Sequence, residues 1–222
     1  AGVTVGGKLV DNARLARLSS EIDSFNAAYG TFQLTYDGIP GDLPNADSCW
    51  SDATPGNGDG YIDTDATLTV ASETVNAFDH MYKSGLVKAS SIDNTLIAFA
   101  RPSTSYKSLY WQLLNASDAD ESGFQPHVAG NVLQLGAQLN PGTLATPNAG
   151  ALKAREAYKL DKKYDDGDPI KGDYTFRVTT AVSEGSSNVA NDSCGDDATT
   201  VTSYNLTADD QNDCNLVIQI RS

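Results

Sequence analysis

The stretch TPGNGDGYIDTD, residues 54–65, gathers hard oxygen donors around three glycines, a combination suited to holding a divalent cation. Set against a calcium loop of the form D-x-N-x-D-G-x-I-x, Asn57 and Asp59 take the third and fifth positions. Gly60 supplies the sharp turn, the Tyr61 carbonyl faces the ion, Ile62 points into the core and Asp63 takes the water-linked position. Both ends depart from the pattern, with Pro55 where the first Asp belongs and Ala66 where the bidentate Glu belongs. Asp52 and Asp65 replace them only along a different chain path. Calcium takes about six to eight oxygens, and this stretch offers roughly five. The expected ligand set, Asp52, Asn57, Asp59, Tyr61, Asp63 and Asp65, therefore describes a weak calcium site. The alternative is a glycine turn whose Asp and Asn side chains cap their own backbone.

A second acidic group, Asp161, Asp165, Asp166 and Asp168 in DKKYDDGDP, reads as a solvated turn ahead of Lys171 and Gly172. Acid–base work would require these carboxylates to have separated pKa values inside a cleft. Nucleophilic catalysis has no G-x-S-x-G and no Cys near a His in sequence, and His80 lies far from His127. The glycine-rich stretch is acidic and lacks the Lys of a phosphate loop. Phe99, Tyr106, Tyr110 and Trp111 fit an apolar sheet face better than a ligand platform. No enzyme activity is expected.

The 222 residues carry 29 Asp and Glu against 15 Lys and Arg, a net charge of −14 that opposes nucleic-acid binding. A hydrophobic content of 40% fits a folded rather than a disordered chain, and the length allows one large domain or two small ones. No apolar run is long enough to span a membrane and no signal peptide is evident. The chain begins with Ala1 rather than Met, so a processed or truncated product is expected. Three cysteines permit three single pairings. A Cys194–Cys214 bridge would close a loop of about 20 residues, worth roughly 3 kcal/mol, and would imply an oxidising compartment. Cys49 would then be a leftover thiol, expected to be buried and inert.

The elements that must position these residues begin with a helix over 1–29. Leu15, Leu18, Ile22 and Phe25 recur at three- and four-residue steps, and Leu9 lies to one side. Arg17, Ser20, Asp23 and Ser24 fill the opposite face. Gly2, Gly6 and Gly7 weaken the first turns, and Gly30 is the expected C-cap. A long loop covers 36–65. A second helix covers 70–85, with Ser72 as N-cap, Val75, Phe78 and Met81 as its apolar face, and Gly85 as its stop. Strands are expected at 95–100, 108–114, 131–136, 174–182 and 215–221, with a short helix over 150–160. Residues 183–213 read as a loop containing a weak strand. The sum is α+β: a helix followed by an antiparallel sheet with long excursions.

Taken in order, GGKLVDNARLARLSSEIDSFNAAYGTF, YDGIPGDLPNA, GNGDGYID, DHMYKSGLV and AREAYKLDKKYDDGDPIKGDY resemble prepilin-type proteins, the type IV pilins and the pseudopilins of type II secretion. The resemblance covers most of residues 1–175, and it is the order of these short motifs that makes it specific. It implies that 1–29 is the end of an assembly helix whose apolar half is missing, and that 30–222 is a globular head. It also implies a Cys194–Cys214 loop like the C-terminal disulfide of type IV pilins, and it favours calcium, since some pseudopilins bind it in a loop of the head. The chain would then be a structural subunit, held in the inner membrane before assembly and extracellular afterwards. It would form a homopolymer through Leu9, Leu15, Leu18, Ile22 and Phe25. The long loops favour a surface pilin over a pseudopilin, and a secreted calcium-dependent binding module is the third expectation.

Overall fold

Leu18, Ile22, Phe25, Tyr29 and Phe32 follow one another at helical steps, and each is at most 7% exposed. Burying each such side chain stabilises by about 1.5–3 kcal/mol, against about 1 kcal/mol lost at a glycine in a helix. Packing therefore carries the helix through Gly30. The first helix, α1, spans Gly2–Tyr36, not 1–29, and Gly30 is an interior residue rather than a C-cap. The helix ends where Asp37 turns left-handed at φ 50° and Pro40 follows. At 1.5 Å per residue its 35 residues extend about 50 Å.

The molecule is described by a computed structural model covering residues 2–64, 72–88, 101–103, 105–106, 109–116, 130–137, 150–178, 194–195, 203–207 and 214–220. After α1 come α2 (Ala46–Cys49), α3 (Glu73–Lys83), β1 (Arg101–Pro102), β2 (Leu109–Asn115), β3 (Asn131–Ala137), α4 (Ala154–Tyr164), β4 (Tyr174–Val178) and β5 (Cys214–Gln219). The strands form one antiparallel sheet in the order β1-β2-β3-β5-β4, in which β1 is a two-residue edge and the last strand inserts between β3 and β4. The expected strand at 95–100 lies outside the described residues. Of the weak strand expected over 199–206, the described residues show a single bridge, Gly195 to Tyr204. Among the described residues no helix is long and apolar enough to cross a membrane.

Register places Tyr174 opposite Ile218 and Phe176 opposite Leu216, so the alternating residues of β4 and β5 share one face. Trp111, Leu113, Leu133 and Leu135 continue that face toward the helices, where Phe25 meets Trp111 edge-on at 5.6 Å. Three hydroxyl and indole donors fix α1 along the sheet. Trp111 Nε1 donates to Glu21 Oε2 at 2.7 Å, Ser103 Oγ to the same oxygen at 2.9 Å, and Ser105 Oγ to Oε1 at 2.8 Å. The other face buries Leu114, Ala116, Val132 and Val217.

Cys194 and Cys214 are bonded, joining the C-terminal region to the start of β5. Cys49 is exposed at the end of α2, not buried as expected. In that short helix Ala46 is the residue buried in the core, so the thiol turns outward.

The first part of α1 is the more exposed, and α4 meets it at Asn12, where Lys159 Nζ reaches Oδ1 at 3.5 Å. Gly7, Leu9 to Arg14, Ala16 and Arg17 are exposed, with Leu15 half-buried. Because Gly30 is interior to the helix and a Cβ there would meet nothing within 4 Å, Gly30→Ala should raise stability by about 0.5–1 kcal/mol in urea unfolding. A loss of stability would mean that the helix ends at Gly30.

Candidate metal centre

The long loop after α1 is built on two buried carboxylates. Asp42 Oδ1 accepts the Gly58 amide at 2.5 Å and Oδ2 accepts that of Gly60 at 2.8 Å. Glu73, the first residue of α3, accepts the Asn57 amide at 2.8 Å through Oε1 and the Asp63 amide at 2.9 Å through Oε2. Amides of residues 57–63 thus converge on two side chains supplied from outside that segment. Charge-assisted bonds of this kind are roughly twice as strong as neutral ones. The approach is close: a Cβ on Gly56 would stand 2.4 Å from the Asp42 Cα, and one on Gly41 2.4 Å from the Glu73 carbonyl oxygen.

Further bonds seat this loop on the head. Asn131 at the start of β3 accepts the Ile62 amide at 2.9 Å and donates to the Gly60 carbonyl at 3.0 Å and the Tyr29 hydroxyl at 3.4 Å. His80 is buried and neutral. Its Nδ1 accepts the Gly41 amide at 3.0 Å, so its Nε2 donates to the Thr54 carbonyl at 3.0 Å. Desolvation by burial holds its pKa below the ordinary value. Ser72 stands at the N-cap of α3 as expected, but its hydroxyl donates to the Asp63 carbonyl at 3.2 Å instead of capping the helix.

Oxygens of Asp42, Asp59 and Glu73 lie within 4.8 Å of one another, a group that can hold a metal ion. Asp42 and Glu73 are buried and Asp59 is exposed, which gives a floor and an open side. Burial first, and then the facing Asp42 and Asp63, push the Glu73 carboxyl above its ordinary value of 4.5, against the lowering effect of its two amide donors. A cation would remove that repulsion.

Of the residues read from sequence, Asp59 belongs to this group. Asn57 and Asp63 border it, since the Asn57 side-chain Nδ2 donates to Asp59 Oδ2 at 3.1 Å and to Asp63 Oδ2 at 3.5 Å. Gly60 has φ 95° and Ile62 is fully buried, as the calcium-loop pattern predicts. The backbone-capping alternative is realised as well. Asn57 Oδ1 accepts the Asp59 amide at 2.8 Å, and Asp59 Oδ1 accepts that of Tyr61 at 2.9 Å. Asp52 stands apart, 3.4 Å from the Lys83 amine, and the Tyr61 side chain is exposed. Asp65 lies outside the described residues. The local sequence pattern does not single out Asp42 and Glu73, because their proximity to Asp59 is created by the fold.

The second acidic group is not simply a solvated turn. Asp161 is fully buried, accepting the Tyr204 hydroxyl at 2.5 Å and the Gly167 amide at 2.9 Å. Desolvation raises its pKa to about 6 and pushes that of Tyr204 far above the ordinary phenol. Asp165 accepts the Asp173 and Tyr174 amides at 2.6 and 3.1 Å, ordering the entry to β4. Asp166 is exposed, and Asp168 pairs with Lys171. His127 lies outside the described residues.

Comparison with protein-family models, with curated proteins and with solved structures finds no match in any of the three.

Without a cation, the raised pKa of Glu73 means that the native chain binds more protons than the unfolded chain. The contribution of this group is complete below its ordinary 4.5 and is lost as pH rises through its folded value. Urea unfolding between about pH 4 and pH 7 should therefore show the chain losing stability relative to Glu73→Gln as pH rises. A saturating divalent cation should reverse that loss. Parallel pH profiles, unchanged by a cation, would contradict the site.

Proposed function

We propose that the chain is the structural subunit of a type IV pilus-like filament, polymerising through its N-terminal helix and presenting its acidic head at the bacterial cell surface. The observation that carries the proposal is α1. One face of its second half is buried in the head, while on its first part Leu9 is 72% and Val10 50% exposed. Exposed apolar side chains on a helix are suited to burial against the same helix of neighbouring copies. Leu15, between the two parts, is half-buried. Leu18, Ile22 and Phe25 hold the helix to its own head rather than to a neighbour. The motif order that resembles prepilin-type proteins supports the same reading, as does the disulfide, which fits an oxidising exterior. Before assembly the subunit is held at the inner membrane.

Filaments sheared from the native cells, imaged by electron microscopy with mass spectrometry of the same fraction, should contain this chain as an abundant component. If no filament contains it, the proposal falls and a subunit of a short secretion pseudopilus becomes the better account.

In the same reading the ion at Asp42, Asp59 and Glu73 is calcium, pinning the loop rather than performing chemistry. Calcium tolerates the irregular geometry of carboxylates already fixed by amides, whereas magnesium demands a near-ideal octahedron. At about ten times its dissociation constant an ion adds about 1.4 kcal/mol to stability. Calcium should raise the thermal midpoint by a few degrees, magnesium less, and Asp59→Asn should abolish the difference. Equal responses to the two ions would contradict calcium.

A further inference from the structure

A chain with net charge −14 repels its own copies unless regions of opposite sign face each other. The described residues separate such regions. Between residues 37 and 64 there are six Asp and no Lys or Arg, and Asp37, Asp47, Asp52 and Asp59 are exposed. Residues 153–163, by contrast, hold five of the chain's 15 cations. At about 100° per residue, Arg155, Lys159, Lys162 and Lys163 fall within about 100° of one another on α4. All four are exposed, opposite the buried Ala157, Leu160 and Asp161. Lys159, Lys162 and Lys163 form no ion pair among the described residues. Lys159 Nζ reaches Asn12 Oδ1 at 3.5 Å, and Lys162 and Lys163 lie over the Tyr158 and Tyr164 rings at 5.9 and 4.4 Å.

The two regions meet α1 at different heights. The α4 helix touches it at Asn12 and Ser19, where the Tyr164 hydroxyl donates to the Ser19 carbonyl at 3.2 Å. The acidic loop meets it between Tyr29 and Tyr36, through Asn131 and through the Trp50 ring 5.0 Å from that of Tyr36. The separation along the helix is about 25 Å. An acidic end and a basic flank displaced along one axis cannot satisfy each other within a copy, but they can between copies related by a shift along that axis. Such a contact joins two different patches and generates an open array rather than a closed dimer.

We propose that the basic stripe of α4 is a docking surface for a second copy of this chain, and that it receives the acidic 37–64 loop of that copy. The proposal extends the filament reading by naming the contact between heads. Screening at physiological salt limits the attraction to about 8 Å, so the paired side chains must come into contact.

The test is zero-length carbodiimide cross-linking of the purified, concentrated chain, mixed from light and heavy-isotope copies, with the joined peptides read by mass spectrometry. The Lys83 amine, 2.6 Å from Asp79, gives an internal positive control within one copy. Mixed-isotope links should join Lys159, Lys162 or Lys163 to Asp37, Asp47, Asp52 or Asp59, and should fall at least tenfold in about 1 M salt, where screening acts within about 3 Å. K159E/K162E/K163E alone, and Asp37→Lys with Asp47→Lys alone, should each lose the links, and mixing the two reversed chains should restore them. Absence of mixed-isotope links alongside the Lys83 control overturns the proposal, as do links joining other surfaces. Filaments on cells without these links would overturn this contact and leave the filament reading standing. Links without filaments would do the reverse.

Discussion

One face of α1 from Leu18 to Phe32 must leave water, and the sheet provides the complementary surface through Trp111, Leu113, Leu133 and Leu135. The pairing sets where the helix lies, and Glu21 sets how far along the sheet it sits by gathering the Trp111, Ser103 and Ser105 donors onto one carboxylate. Once the second half of α1 is held there, the continuous helix carries its first part alongside α4, which meets it at Asn12 and Ser19. The exposed Leu9 and Val10 are thus a consequence of packing some ten residues further on.

The same packing creates the acidic loop. With Tyr29 and Phe32 buried, Asn131 and the Trp50 ring can grip residues on either side of the loop, and α3 brings Glu73 opposite Asp42. Buried carboxylates are costly unless their oxygens are satisfied. Here four backbone amides do that work, so the loop has an internal skeleton even before any ion is considered. The arrangement still leaves negative charge concentrated at one end of the head, and that concentration is what makes both a cation and a basic neighbour attractive there.

The fold was legible wherever the periodicity was strong. The stripe Leu18, Ile22, Phe25 and the alternating Leu216, Ile218 and Tyr174, Phe176 are direct imprints of a helix and two strands, and the Cys194–Cys214 pairing followed once the C-terminal region was likened to a disulfide loop. Gly30 is a local stop signal that Tyr29 and Phe32 outweigh, and what they pack against lies far along the chain, Asn131 for Tyr29 and Trp50 and His80 for Phe32. The site was half legible. Asp59, Gly60 and Ile62 follow a local pattern, but Asp42 and Glu73 join them only through the packing of α3 against the loop. In the same way, nothing near Asp161 announces Tyr204, its partner 43 positions away.

The claim that unites these features is that α1 is an assembly element and the head an acidic surface. The decisive measurement is electron cryomicroscopy, with helical reconstruction, of any filament of the native cells that contains this chain. The α1 helices of successive copies should lie at the centre, with the Leu9 and Val10 region buried between them and the 37–64 loop outside. A filament in which that part of α1 faces solvent, or in which the heads form the axis, would contradict it.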